Sequence, residues 1–170
     1  MKSTASIKAG LLLLAANSAW AVTCVNNIPP SNPDVAYTVH NDGTVTDTRT
    51  ALMWKICAEG QLWNAGACTG SVAVATWDVA LGWAEGSTFA GHSDWRLPSL
   101  KELRSLVEEC RFNPSINDTV FLGASNSDFW SASPYVGRSD YAWYVNFGSG
   151  YAAITYRTYH RSVWLVRGGQ

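Results

Sequence analysis

Charged residues are scarce in this sequence. They make up 15% of its 170 residues, and the formal net charge is -1. This near-neutral balance argues against nucleic acid as the main partner, because binding a phosphate backbone takes a clear basic excess. Histidine occurs only at His40, His92 and His160, and the sequence has no H-x-x-x-H, P-loop or G-x-S-x-G motif. We therefore expect a protein that is not an enzyme and holds neither a cofactor nor a metal ion.

Long hydrophobic runs are also missing. The apolar run at residues 9–16 falls far short of the roughly 20 residues that cross a bilayer, and no later segment approaches that length, so we expect no membrane span. Two lysines precede this run, and an A-x-A sequence at residues 19–21 follows it, which is the pattern of a cleavable secretory signal. We predict a signal peptide over residues 1–21 and an exported protein, located in the periplasm, at the cell surface or outside the cell. An uncleaved N-terminal anchor is the alternative.

Cysteine pairs at C-x-x-C spacing are absent, which argues against a four-thiolate metal site. The chain has four cysteines, and an even number in an oxidising compartment is most simply explained by two disulfides. Three pairings are possible. We favour Cys57 with Cys68, which would close a short Gly-rich loop, and Cys24 with Cys110, which would tie the N-terminal segment to a helix.

The pattern of residues predicts an irregular lead-in over residues 22–36 and one α+β domain over residues 37–170. Strands at 37–39 and 44–46 flank an Asp-Gly turn, which is typical of a hairpin. A short strand at 51–54 follows, and residues 58–71 are expected to form a surface loop. The order of a hairpin, two helices and several strands indicates an α+β fold.

Two helices are predicted in the middle of the chain. Thr76 is a candidate N-cap for a helix that should stop near Gly86. Pro98 precedes Ser99 and Glu102, which have the spacing of a capping box at the start of a second helix. An apolar face of this second helix should then carry Cys110 towards the core; its members are Leu100, Leu103, Leu106, Val107 and Cys110.

Beyond position 114 the period of the hydrophobic pattern becomes two, which predicts an antiparallel meander with strands at 129–133, 142–147, 151–156 and 163–167. Trp143, Val145 and Phe147 alternate with Tyr144 and Asn146. We therefore expect the first three side chains to be buried and the other two to face solvent.

Several motifs together resemble a known family. They are D-G-T-V-T-D at 42–47 running into A-L-M-W at 51–54, D-W-R-L-P-S at 94–99 with Glu102-Leu103, F-W-S-A-S at 129–133, Ala142-Trp143, and V-R-G-G at 166–169. In this order they are similar to the Lcl C-terminal domain family of secreted bacterial proteins. The block W-R-L-P-S-x-x-E-L is the most specific element. Leu165 stands where the family commonly has cysteine, and Trp164 where it commonly has arginine.

The resemblance implies a C-type-lectin-like α+β fold, with two helices packed on a twisted antiparallel sheet and disulfides that stabilise it. By way of the family's namesake adhesin, it also implies binding of sulfated glycans at surfaces. The tryptophans in the family motifs are expected in the core, whereas Trp63 is expected to be exposed. Arg96, Asp42 and Asp47 are expected to have structural roles, Arg96 by pairing with a carboxylate and the two aspartates in turns and caps.

The C-terminal part is locally basic, because residues 138–170 contain four arginines and Asp140 as their single acidic residue. Tyrosines lie among these arginines. Aromatic rings stack on sugars and arginine forks bind sulfate or carboxylate, so the combination suits an anionic glycan. The candidate ligand-binding residues are Arg138, Tyr144, Asn146, Tyr151, Tyr156, Arg157, Tyr159, His160 and Arg161, with Tyr135 expected nearby.

The expected function is therefore adhesin-like binding of an anionic, sulfated glycan through this sheet. Two alternatives stay open. The same tyrosine-rich face could meet another polypeptide, in a protein-interaction module or a subunit of an envelope or surface-appendage complex. Tyr and Arg could also simply cover the solvated face of a sheet.

Overall fold

The computed structural model describes residues 24–25 and 27–168, so the predicted signal peptide lies outside the described residues. This part of the chain contains two α-helices, eleven short strands and a 3-10 helix at Asp34–Ala36, joined by long irregular segments. The helices are α1 (Trp77–Glu85) and α2 (Leu100–Ser105), and the strands are β1 (Tyr37–Val39), β2 (Thr44–Asp47), β3 (Leu52–Lys55), β4 (Leu62–Asn64), β5 (Ala67–Thr69), β6 (Val74–Ala75), β7 (Asp128–Pro134), β8 (Tyr141–Asn146), β9 (Ala152–Tyr156), β10 (Arg161–Ser162) and β11 (Val166–Arg167).

The strands form three sheets, and their orders are β1-β2-β3-β11, β6-β10-β7-β8-β9 and β4-β5. The α+β class is confirmed, and so is the meander, which is β7-β8-β9. The strand predicted at 163–167 is wrong. The chain instead pairs in the five-stranded sheet at β10, where it runs parallel to β7, and crosses to the four-stranded sheet at β11. The three residues between β10 and β11 are fully buried, so this crossing passes through the core.

The first hairpin is confirmed, with Val39 opposite Val45 in antiparallel register. Its turn depends on two features of the Asp-Gly pair. The Asp42 carboxylate accepts hydrogen bonds from the Thr44 amide and hydroxyl, at 3.0 and 2.7 Å. Gly43 has φ +86°, and a Cβ at this position would lie 2.6 Å from Cγ of Trp63. A side chain at position 43 would therefore be strained by the backbone and would also clash.

Both helices begin where the sequence indicates. Thr76 is the N-cap of α1 but makes no side-chain cap bond, and Gly86 is its C-cap. Ser99 and Glu102 form the predicted capping box of α2, with each side chain bonded to the backbone amide of the other. Helix α2 is shorter than expected. It ends at Ser105, so the expected helical face does not continue to Val107 and Cys110.

The core has two clusters on opposite faces of the five-stranded sheet. Phe129 and Trp130 are consecutive strand residues and so point to opposite faces. Phe129 lies in one cluster with Val145 and with Leu103 of α2, whereas Trp130 lies in the other with Trp77 of α1. The sheet is therefore covered by apolar residues and one helix on each side.

This double coverage changes the burial expected along β8. Tyr144 was predicted to face solvent, but it is 8% exposed and packs in the same cluster as Trp130. Trp143, expected to be buried, is half-buried, while Val145 and Phe147 are buried as predicted. The alternation of polar and apolar residues did not predict burial along β8 correctly, because both faces of this strand pack against a hydrophobic cluster.

Both favoured disulfides are confirmed. Cys57 is joined to Cys68, and Cys24 to Cys110. The segment expected to be a plain surface loop between the first pair contains the hairpin of β4 and β5. Trp63 on this hairpin is half-buried rather than exposed, and its indole nitrogen donates to the carbonyl of Asn41 at 3.1 Å.

A buried carboxylate holds the lead-in segment against the domain. Glu108 is 1% exposed and accepts hydrogen bonds from the backbone amides of Ser31 and Asn32, both at 2.8 Å, and from the Ser31 hydroxyl at 2.8 Å. The amide of Cys110 donates to it at 3.3 Å. Together with the disulfide at Cys24, these bonds fix the irregular segment that precedes β1. Among the described residues, no helix is long and apolar enough to cross a membrane.

Candidate functional site

Three tyrosine rings contact one another at tilted angles where β8 begins and β9 ends. We call them the tyrosine surface: Tyr141, Tyr156 and Tyr159. Tyr141 and Tyr156 are partners across the two strands, and their ring centroids lie 4.3 Å apart. The ring of Tyr159 lies 5.7 Å from that of Tyr156. Tyr156 and Tyr159 are 40% and 51% exposed, so they present ring area to solvent. Sequence reasoning missed Tyr141, whose role depends on the strand register.

Arginines extend this series at both ends. The guanidinium carbon of Arg138 lies 4.4 Å from the ring centroid of Tyr141. The guanidinium of Arg161 lies 5.9 Å from Tyr159 and 5.1 Å from the buried ring of Tyr144. These distances are within the range of cation–π contacts. The contacts thus run continuously from Arg138 to Tyr144.

Tyr144 is buried and contacts side chains of the surface without facing solvent itself. Its ring is covered by Arg161 and lies 6.2 Å from the ring of Tyr151, which is 48% exposed. Burial raises the pKa of the Tyr144 hydroxyl to about 12. Tyr144 is therefore neutral at physiological pH and supports two neighbours, the half-buried Arg161 and the exposed Tyr151.

A polar cavity of about 300 Å³ lies beside this group and contains three of the predicted residues, Asn146, His160 and Arg161. Asp128, which the sequence analysis missed, lines it as well. The Asn146 amide donates to Asp128 at 2.7 Å, and Nε of Arg161 lies 3.0 Å from the other carboxylate oxygen as an ion pair. The cavity therefore offers donors and acceptors whose positions are fixed by one another.

The local positive charge expected for residues 138–170 is partly neutralised by ion pairs in the folded chain. Arg138 pairs with Asp140 at 2.9 Å and Arg161 with Asp128 at 3.0 Å. Arg167 pairs with Asp94 at 2.7 Å, outside the tyrosine surface. Two of these carboxylates come from earlier in the chain, so counting charges along residues 138–170 could not have found them.

Arg157 differs from these arginines. Its Nε donates to the carbonyl of Tyr141 at 3.2 Å, and its guanidinium lies 4.1 Å from the ring centroid of Trp77. No carboxylate in the described part of the chain lies within ion-pair distance of it. The stacking on Trp77 holds the plane of the guanidinium while its two terminal nitrogens form no hydrogen bond to a described residue. Tyr135, in contrast, packs on Trp143 with 5.9 Å between centroids.

The expected structural roles are confirmed. Arg96 makes a two-pronged pair with Glu102, at 2.8 and 2.6 Å, and donates to the carbonyl of Gly168 at 2.9 Å. Burial acts to raise the pKa of the Glu102 carboxyl, but the bonds from Arg96 and Ser99 outweigh it and hold that pKa below its usual value. The Asp47 carboxylate accepts from the amide of Arg49 at 2.9 Å in the turn after β2.

The motifs that contain Asp47, Arg96 and Glu102 lie within a segment that matches a known domain family. Residues 43–167 match the family model of the Lcl C-terminal domain. The chain belongs to the Lcl C-terminal domain family. No curated protein matches the chain.

Metal-ligating side chains come together at one place in the described part of this Lcl C-terminal domain. Cys24, Glu108 and Cys110 place their ligand atoms within 4.8 Å of one another. Both sulfurs are joined in a disulfide and cannot act as thiolates, and Glu108 is already occupied by backbone donors. This cluster is explained by its structural role.

A second cleft of the Lcl C-terminal domain, unforeseen from the sequence, surrounds Lys55 at the end of β3. Cavities of about 660 and 340 Å³ share Lys55, Glu59 and Gly60 in their walls. Trp83 of α1 lines the larger cavity, and Trp63 lines the smaller one. A single lysine at the end of an apolar strand belongs to no motif, so this cleft could not be predicted from the sequence.

Proposed function

We propose that this Lcl C-terminal domain is an exported binding domain that recognises an anionic glycan, such as a sulfated one, at the tyrosine surface. The observation that supports this most is the continuous series of contacts between tyrosine rings and arginines beside a polar cavity. Exposed aromatic rings, fixed hydrogen-bonding groups and a guanidinium without a carboxylate partner are the three components that an acidic sugar needs.

The components suggest a division of roles. The exposed rings of Tyr156 and Tyr159 would stack on the apolar face of sugar rings. Asn146, Asp128 and His160 at the cavity would bind hydroxyl groups. Each of these contacts is modest on its own, so affinity would depend on several sugar units binding at once.

Arg157 is the residue that we assign to the acidic group. A planar guanidinium can bind a sulfate or carboxylate through two parallel hydrogen bonds, and its terminal nitrogens are available for this. Arg138 is a second candidate. Its pair with Asp140 is half-exposed on both sides and should therefore be weak, so an anionic sugar could replace Asp140 as its partner.

Export and a C-type-lectin-like arrangement are part of the same proposal. Two disulfides suit an oxidising compartment, and an apolar run with an A-x-A site at the N-terminus suits a cleaved leader. We propose a binding rather than a catalytic role because no nucleophile and base pair forms part of the tyrosine surface.

The test is binding of the purified protein to an array of sulfated, carboxylated and neutral glycans at two salt concentrations. Tyr156→Ala should reduce binding to the acidic members by about tenfold, as expected for loss of an aromatic anchor. Phe112→Ala, which removes an exposed aromatic side chain outside the polar cavity and the tyrosine surface, is the control and should leave that binding unchanged. Equal binding of the Tyr156→Ala variant and the unmodified protein would exclude this surface.

A protein-binding role is the second candidate. Val74, which lines the polar cavity together with His160 and Arg161, is 52% exposed, so the surface also has an apolar component. A polypeptide partner should bind with weak salt dependence, whereas an anionic glycan should lose affinity steeply as salt rises. If the protein binds no glycan at low salt, the result would favour a polypeptide partner.

A further inference from the structure

The side chain of Lys55 is fixed in an environment that is unusual for lysine. Its Nζ donates to Oε1 of Glu59 at 2.7 Å and to the Ser87 hydroxyl at 2.8 Å. It also lies 5.0 Å from the ring centroid of Phe89 and 5.6 Å from that of Trp95. The side chain is only 11% exposed, so two hydrogen bonds and two aromatic rings determine where the ammonium group lies.

Burying this ion pair has a cost that packing alone does not explain. Removing a lysine and a glutamate from water is expensive, and an apolar pair of similar size would often stabilise a fold as well or better. Each group also has a hydrogen-bonding position that no described residue occupies. The ammonium group has a third N–H, and Oε2 of Glu59 accepts no hydrogen bond from the described residues. Both groups line the two cavities of the cleft.

The rest of the cleft is shaped for a ligand that combines polar groups with a flat apolar face. Trp83 is 37% exposed at the larger cavity. Gly60 forms part of both walls, and a Cβ there would lie 2.6 Å from the Ala73 amide nitrogen, so the wall has no room for a side chain. Lys55 and Glu59 are the charged residues among those lining the two cavities, and their charges cancel.

We propose that the Lys55 cleft is a binding site for a neutral saccharide, separate from the tyrosine surface. An anionic group would meet Glu59 and an amine would meet Lys55, so neither charge is favoured. A pair of neighbouring sugar hydroxyls fits both residues at once: one hydroxyl donates to Glu59 Oε2 and the other accepts from Lys55 Nζ. The indole of Trp83 provides the surface on which the C–H face of the sugar ring stacks.

The test uses NMR of the purified protein with its indole N–H signals assigned. A panel of neutral gluco-, galacto-, manno- and N-acetylglucosamine oligosaccharides is added at about 10 mM, which would nearly saturate a site with a Kd of about 1 mM. At least one of them should shift the Trp83 signal, and the shift should persist at high salt because the cleft has no net charge. No shift with any member would overturn the proposal.

Variants locate the binding. Trp83→Ala should weaken binding of the active sugar about tenfold, measured from the backbone amide signal of Gly60 in the cleft wall because this variant lacks the Trp83 signal. Val79→Ala, an exposed substitution on the same helix outside the cleft walls, should leave it unchanged. A double variant, Lys55→Met with Glu59→Gln, removes both charges together and should also abolish the shift while the protein stays folded. Equal affinities of the Trp83→Ala and Val79→Ala variants would contradict the site.

The two binding proposals can fail separately. Arg157→Ala should leave neutral-sugar binding in the cleft unchanged, since Arg157 is not among the residues that line it. A sugar that shifts the Trp83 signal only when it is sulfated, with a strong salt dependence, would overturn the neutral ligand assigned to this cleft.

Discussion

Replacing Glu108 with glutamine should destabilise the fold by about 2 to 4 kcal/mol, because this carboxylate is the shared acceptor of the lead-in segment. Its Oε1 accepts from the Ser31 amide and hydroxyl and from the Cys110 amide, and its Oε2 accepts from the Asn32 amide. Glutamine keeps one oxygen but places an NH₂ group opposite the Asn32 amide. That buried amide would lose its acceptor, and the remaining bonds would lose the strength that a charged acceptor gives them.

The size of the effect can be worked out from these bonds. Leaving one buried donor without a partner costs about 1 to 3 kcal/mol, and each bond that changes from a charged to a neutral acceptor weakens by some tenths of a kcal/mol or more. For a domain of this length, 1 kcal/mol corresponds to about 2 to 4 °C in Tm. The Glu108→Gln variant should therefore melt about 4 to 16 °C below the unmodified protein.

The assay is thermal unfolding with disulfides intact, and Glu109→Gln is the matched control because Glu109 is exposed and its carboxylate accepts no hydrogen bond from the described residues. The control should change Tm by no more than about 2 °C. A Glu108→Gln variant that melts with the control would refute the assignment of Glu108 as the group that fixes the lead-in segment.

The same carboxylate predicts a dependence on pH. Burial acts to raise the pKa of Glu108, but the bonds from Ser31, Asn32 and Cys110 outweigh it and lower that pKa in the folded state. Stabilisation by a group with a lowered pKa is complete above its unfolded value, about 4.3, and is lost as pH falls through the folded value. The unmodified protein should therefore lose more stability than the Glu108→Gln variant below about pH 4. Parallel losses in the two proteins would contradict the lowered pKa.

Two further substitutions test the fold. Arg96→Lys replaces a two-pronged contact with Glu102 by a point charge, so it should cost about 1 kcal/mol and lower Tm by about 2 to 4 °C, while an unchanged Tm would show that the pair contributes little. Gly43→Ala places a Cβ in a left-handed turn against Trp63 and should lower the free energy of unfolding by about 2 kcal/mol, measured by chemical denaturation. An unchanged free energy of unfolding would indicate that the hairpin and Trp63 can move apart.

Sequence reasoning worked best where the determinants are local. The capping box of α2 involves Ser99 and Glu102, which are three residues apart, and the turn at Gly43 depends on its own backbone. The sequence also located the tyrosine surface, because Tyr156, Tyr159 and Arg161 lie within one short segment.

It failed where distant parts of the chain decide the environment. Tyr144 is buried because α1 covers the face of the sheet that was expected to meet solvent, and because Trp130 on the neighbouring strand packs beside it. The charge of Arg161 is balanced by Asp128, which lies far away in sequence. Lys55 obtains its hydroxyl partner from Ser87, beyond α1, so its cleft exists only in the folded chain.

The most direct test of anionic-glycan binding is the salt dependence of the dissociation constant for one sulfated oligosaccharide. The unmodified protein should lose affinity steadily as salt rises, and Arg157→Ala should bind more weakly at low salt with a shallower dependence. Arg104→Ala removes the same charge from an exposed position on α2 and should keep the original slope. The role assigned to Arg157 would be contradicted if the dissociation constant of the Arg157→Ala variant depended on salt as steeply as those of the Arg104→Ala variant and the unmodified protein.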